Sequence, residues 1–301
     1  MPELRPSRPL VGILWMLLTG LCFVAVTALV KLLGPRIPAV ESVFLRYVIG
    51  LILLLPLLGR LKLGEITPRL HMLFAARGLV HAVGAGFWFF AMARIPLAEV
   101  TAMNYLSPVY VTIGAALFLG EPLALRRILA VGAALVGTAI ILRPGFREVG
   151  PGQMAMLVTA LAFGCSYLLA KVLADRADAA LVVAMLSVWV TIGLAPAALM
   201  AWVWPTWAEL GILLGVALFA TAGHYTMTLA MAAAPVAVTQ PVTFLQLIWA
   251  TLLGVLVFHE PIDIWVVVGG TVILGAVSYI TWREARMKRR AVTPAVPATK
   301  F

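Results

Sequence analysis

Arg77, His81, Gly84 and Trp88 follow one another at intervals of four, three and four residues. On a helix, those intervals place all four on one face. A guanidinium, an imidazole and an indole on such a face could hold a polar or anionic part of a small molecule and stack on a flat part of it. The same side chains also fit a plainer role, in which Arg77 reaches a membrane interface, His81 bonds a neighbouring helix and Trp88 joins an aromatic belt. Further along stand Thr101, Asn104, Ser107 and Pro108, with Tyr105 among them, and later Gln240, Thr243 and Gln246, flanked by Phe244 and Trp249. Hydroxyl and amide groups of this kind suit a ligand with many hydrogen-bonding atoms and no full charge, and they serve equally as glue between membrane helices. His224 and Tyr225 are a complement to His81 from the later half of the chain. Arg46, five residues after Glu41, reads as structural or gating, or else as a long side chain snorkelling outward with Glu41 as a local counter-ion. Pro108 reads as a hinge, and Glu121 and Glu260, each followed by proline, read as joints between helices.

The elements that must position these residues are membrane helices. The chain has 301 residues, of which 63% are hydrophobic and 11% charged, and its mean hydropathy is +1.07. A soluble domain carries about a quarter charged residues. A helix crosses the hydrocarbon core with about 20 apolar residues. Apolar runs lie near 10–33, 38–59, 70–93, 96–119, 125–143, 151–174, 180–203, 208–231, 236–258 and 263–282, which makes ten spans. The run from Leu10 is too long for the apolar core of a signal peptide and reads as the first retained crossing. With the N-terminus inside, fourteen Lys and Arg fall in inside loops and tails and five in outside ones, so both termini are expected in the cytoplasm. That asymmetry accounts for the formal charge of +10 without nucleic acid.

Pro96–Pro122 and Pro235–Pro261 align without a gap at an offset of 139, with seven of 27 positions identical, including Glu121/Glu260 and Pro122/Pro261. Gly12–Leu32 aligns with Gly152–Val172 at an offset of 140, placing Lys31 on Lys171. The chain is therefore two copies of a five-span unit. Five is odd, so the second copy enters the membrane from the opposite side. The expected fold is all-α, with ten transmembrane helices in two inverted five-helix repeats, 10–143 and 151–282, and a basic cytoplasmic tail at 283–301.

Two five-span halves, fourth and ninth spans rich in alanine and glycine, a Glu-Pro pair after each, and FLRY early in the second span resemble the drug/metabolite transporter superfamily, specifically its EamA-type members. The resemblance covers about Gly12 to Arg283. It implies a basket-like bundle around a substrate cavity lined largely by the third, fourth, eighth and ninth spans. Within the family the chain is similar to riboflavin importers and to S-adenosylmethionine transporters.

The expected function is secondary transport of a small organic metabolite across the bacterial inner membrane by alternating access. Its expected partners are the substrate and the bilayer, as a monomer or a homodimer. Arg77, His81, Trp88, Asn104, Tyr105, Ser107, His224, Tyr225, Gln240, Gln246 and Trp249 are the expected binding residues. Riboflavin suits aromatic planes interleaved with amides and hydroxyls. The alternatives are a carrier or exporter of S-adenosylmethionine or amino acids and, in a different class, an integral-membrane enzyme. A sulfonium would want a carboxylate at the site, and Glu99 near the outer end is the one acid available there. The sequence has no phosphate-binding loop for ATP and no clustered metal ligands, and Cys22 and Cys165 lie within apolar spans, so neither a cofactor nor a metal is expected.

Overall fold

The computed structural model describes residues 8–58, 66–118, 125–146, 148–174, 176–177, 179–234, 242 and 244–292. Glu121 and Gln240 lie outside the described residues. Eleven helices are described: α1 Pro9–Leu33, α2 Ala39–Leu58, α3 Pro68–Met92, α4 Leu97–Asn104, α5 Ser107–Phe118, α6 Leu125–Leu142, α7 Pro151–Ala174, α8 Ala179–Met200, α9 Trp207–Ala233, α10 Phe244–Phe258 and α11 Ile264–Val292. Their starts are written locally. Thr67 Oγ1 accepts from Leu70 N ahead of Pro68, Thr206 and Glu209 form a capping box, and Asp263 accepts from Trp265 N.

Five of these helices hold windows long and apolar enough to cross a bilayer alone, and residues 128–142, 245–258 and 264–279 form shorter apolar helices. Leu10, Leu14, Leu18 and Leu21 stand exposed along α1, as Leu214, Leu218 and Tyr225 do along α9. Such stripes on long apolar helices are the mark of a lipid-facing surface, and the chain is a multi-pass membrane protein.

In lipid, helices associate through close packing rather than water exclusion, so small residues sit where they cross. A Cβ on Gly137 would lie 2.7 Å from the Gly269 carbonyl oxygen and 2.8 Å from Ile273. Gly269 meets Gly137 and Ile141 in the reciprocal way, which locks α6 against α11. Much of the remaining packing follows the sequence repeat. Helix α1 packs on α9 and α7 on α3, α3 on α8 and α9 on α2, α7 on α5 and α1 on α10, and α2 packs directly on α8. Exchanging the two copies maps α1–α9 onto α7–α3, α3–α8 onto α9–α2 and α7–α5 onto α1–α10, and maps α2–α8 onto itself.

One expected element is different. The span from 96 to 119 is not continuous but consists of α4 and α5, separated at Tyr105 and Leu106. There the backbone tightens to three-residue bonds, Tyr105 N to Ala102 O at 3.3 Å and Leu106 N to Met103 O at 3.1 Å. Pro108 has no N–H to continue the helix, and its ring opposes the carbonyl four residues back, at Asn104. A second departure lies at the C-terminal end, where α11 continues to Val292. The first part of the basic tail is therefore helical.

Candidate functional site

On α3, Arg77 and His81 are buried and Trp88 is half-buried, all turned towards the bundle interior. Gly84 explains how α7 approaches that face. A Cβ there would stand 2.7 Å from the Phe163 ring, and Thr159 Oγ1 donates to the Gly84 carbonyl at 3.2 Å. Phe163 therefore stacks on His81, with ring centres 4.7 Å apart and planes 25° from parallel. Trp88 meets the same Phe163 edge to face at 5.9 Å, and Tyr167 lies 6.0 Å from it. His81 Nδ1 is 3.1 Å from Ser166 Oγ, and the Tyr47 ring packs on His81 at right angles. A place for Trp88 in an outer aromatic belt does not fit this position. Its indole Nε1 is buried without a partner among the described residues.

Arg77 Nη1 donates to the Val182 carbonyl at 3.0 Å, and its Nε has no partner among the described residues. Arg46, also buried, lies over the Tyr47 ring at 4.0 Å. The counter-ion expected for Arg46 is otherwise engaged, because Glu41 Oε2 accepts from Val203 N at 2.9 Å. Arg46, Tyr47, Ser187, Thr221 and His224 line a cleft between α2, α8 and α9 of roughly 370 Å3, counting the space at its mouth.

The helix break carries the second polar group. Asn104 Oδ1 and Ser107 Oγ are buried and have no partner among the described residues. Tyr105 is buried between them, and its hydroxyl meets the Leu247 backbone. Gln246, half-buried on α10, faces α1 with its Cβ near Gly20. Two expected residues are not brought inward. Tyr225 is 66% exposed on the lipid-facing stripe of α9, and Trp249 shares the exposed face of α10 with Leu252 and Leu256. A helix turns about 100° per residue, so His224 faces the cleft while its neighbour Tyr225 faces out.

Sequence reasoning missed Phe163, Ser166 and Tyr167 of α7, together with Tyr47, Ser187 and Thr221. A signal was present on α7, where Phe163, Ser166 and Tyr167 recur at three- and four-residue spacing within an apolar span. The alignment of that span with the first one hides the signal, because it directs attention to what the copies share.

A membrane-embedded helical bundle that gathers arginines, histidines and aromatic rings in its interior, around a broken helix, has the make-up of a transporter. The chain belongs to the EamA-like transporter family, which matches residues 10–143 and again residues 150–282. It is 31% identical over 295 residues to a riboflavin transporter of Rhizobium johnstonii, covering 95% of this chain and 96% of that one. It is 24% identical over 292 residues to an S-adenosylmethionine uptake transporter of Rickettsia bellii, covering 94% and 97%. A solved crystal structure at 18% identity shares the fold, with a TM-score of 0.62 over 94% of this chain and 99% of that one.

Proposed function

We propose that this transporter carries riboflavin into the cell across the bacterial inner membrane. In this reading the chain makes ten crossings in two inverted halves, residues 10–143 and 151–282, with both termini in the cytoplasm. Support for the inversion comes from the excess of Lys and Arg on one side and from the exchange of packed pairs between the copies. Alternating access is rocking of one half against the other around the shared interior.

The observation that carries the choice of cargo is the aromatic wall of His81, Phe163, Trp88 and Tyr167, standing in a fold that also leaves Trp88 Nε1, Asn104 Oδ1 and Ser107 Oγ without partners among the described residues. A tricyclic ring system offers a face to stack and a rim of acceptors and donors, and bound cargo would satisfy buried groups that the protein leaves open. The likeness to the Rhizobium riboflavin transporter points the same way. S-adenosylmethionine is favoured less, because no described carboxylate lines the cleft to meet a sulfonium.

The test is uptake of labelled riboflavin by a riboflavin-auxotrophic strain expressing the chain. Uptake above the empty strain is expected, with His81→Ala and Gln246→Ala each reducing it at least tenfold. No uptake removes riboflavin as cargo. Uptake untouched by both substitutions removes the proposed cavity.

A further inference from the structure

We infer that the cleft between α2, α8 and α9 is an oxyanion subsite, in which Arg46 receives a carboxylate or phosphate group of the transported molecule. The inference rests on the transport reading and adds to it an anionic group at one end of the preferred cargo, a group that riboflavin itself lacks and its phosphorylated form carries.

Arg46 stands seven residues into α2 and Arg77 nine residues into α3, so their Cα atoms lie about 10 and 14 Å from the helix starts at 1.5 Å per residue. Both residues are more than nine-tenths buried, with 8% and 7% exposure. A charge at that depth is costly and persists where a partner or a function holds it. Arg77 is held in part by the Val182 carbonyl. Arg46 has a ring beneath it and no hydrogen bond or ion pair to another described residue. His224 lines the same cleft as Arg46. No carboxylate among the described residues lines the cleft or bonds either arginine; Glu41, the nearest in sequence, is turned to the Val203 backbone.

Among the described residues, the cleft thus has one buried positive charge, Arg46, and no negative one, while Arg77 is buried outside its lining at the Val182 carbonyl. Bound oxyanion supplies the missing charge. The planar fork of Arg46 matches carboxylate or phosphate oxygens in pairs, and Thr221 across the cleft adds a hydroxyl donor, whereas the Ser187 hydroxyl donates to the Val183 carbonyl. For a flavin cargo, the group is a phosphate on the ribityl chain, so the phosphorylated vitamin should bind more tightly than the free one.

The experiment uses the full chain purified in detergent. Its melting temperature is followed against inorganic phosphate and acetate, with chloride at matched ionic strength as the control, and against the short-chain lipid dioctanoyl phosphatidylglycerol. Wild type, Arg46→Gln, Arg46→Lys and Thr221→Val are compared. A saturable rise of several degrees with phosphate or acetate is expected for wild type, abolished in Arg46→Gln and weakened in Arg46→Lys. If Arg46→Gln does not yield folded protein, weakening in Arg46→Lys and Thr221→Val supports the subsite in its place. No saturable rise, or an equal rise in every variant, overturns the inference. A response to the lipid alone overturns it as well, since the site would then read a headgroup rather than cargo.

Competition for riboflavin uptake separates this inference from the cargo reading. Stronger inhibition by flavin mononucleotide than by unlabelled riboflavin, lost in Arg46→Gln, supports the subsite. Riboflavin uptake that flavin mononucleotide does not inhibit leaves riboflavin as cargo and removes the subsite. Arg46-dependent binding of phosphate without riboflavin uptake does the reverse.

Discussion

Lys31, near the end of α1, forms an ion pair with Glu260, just ahead of α11, and the pair closes over the start of α4. Lys31 Nζ also donates to the Ile95 carbonyl at 3.0 Å, and Glu260 Oε2 accepts from Leu97 N at 2.9 Å. From the sequence, Lys31 reads as an interface lysine and Glu260 as a glutamate serving the helix that follows it. The glutamate instead caps a helix from the other copy of the repeat, and so ties the two halves together. Glu260 reaches there because the chain turns back at His259, which has a φ of 53°, and Glu260 N bonds the Gly254 carbonyl.

Lys31→Met and Glu260→Ala should each destabilise the protein by about 2 kcal/mol, below the range for fully buried pairs because both side chains keep some exposure. The double swap Lys31→Glu with Glu260→Lys should not rescue stability. A carboxylate at position 31 would face the Ile95 carbonyl, and an ammonium at position 260 would face the Leu97 N–H. Thermal unfolding in detergent reads this directly. Full rescue by the swap would mean that charge attraction alone, without the backbone partners, accounts for the pair.

Two glycines on α3 should respond differently to the same substitution. At Gly78 an added Cβ meets the Cα and carbonyl carbon of Trp189 at 3.2 Å, and backbone cannot step aside. Gly78→Ala should separate α3 from α8 and lower stability by about 2 kcal/mol, within the overpacking range. At Gly84 the nearest obstacle is the edge of the Phe163 ring, which can rotate, and the Ala162 Cβ at 3.1 Å needs to give by only a few tenths of an ångström. Gly84→Ala should therefore keep most of the stability and lose transport as Phe163 shifts against His81. Melting temperature and uptake measured on both variants distinguish the two cases, and equal loss of stability would show that the ring is as fixed as the backbone.

What is legible in the sequence follows from periodicity. Apolar runs give the helices, the fixed offset gives the two copies, and three- and four-residue spacing puts Arg77, His81 and Trp88 on one interior face. Pairing between helices leaves no such trace. Nothing periodic announces that Phe163 covers His81, because that contact depends on one missing Cβ at Gly84 on a different helix. Residue type draws Tyr225 and Trp249 into the expected site, and a helix turn of about 100° per residue directs them outward instead. Proximity along the chain offers Glu41 to Arg46 as a counter-ion, yet the two are five residues apart and do not share a helix face.

The break between α4 and α5 yields the sharpest separation of function from stability. Asn104 Oδ1 and Ser107 Oγ are buried without partners among the described residues, a condition that destabilises a folded chain by about 1–3 kcal/mol per group. Asn104→Leu, close in volume, should therefore raise the melting temperature while lowering uptake at least tenfold if, as proposed, the group removed serves cargo and not the fold. Pro108→Ala restores an N–H that can bond the Asn104 carbonyl, so α4 and α5 should approach one continuous helix. That variant should be at least as stable as wild type and transport poorly, since a discontinuous helix exposes backbone and side-chain groups to a ligand at mid-membrane depth. Melting temperature and uptake are measured on the same preparations. Lower stability in both variants with unchanged uptake would make the break a structural kink with no part in transport.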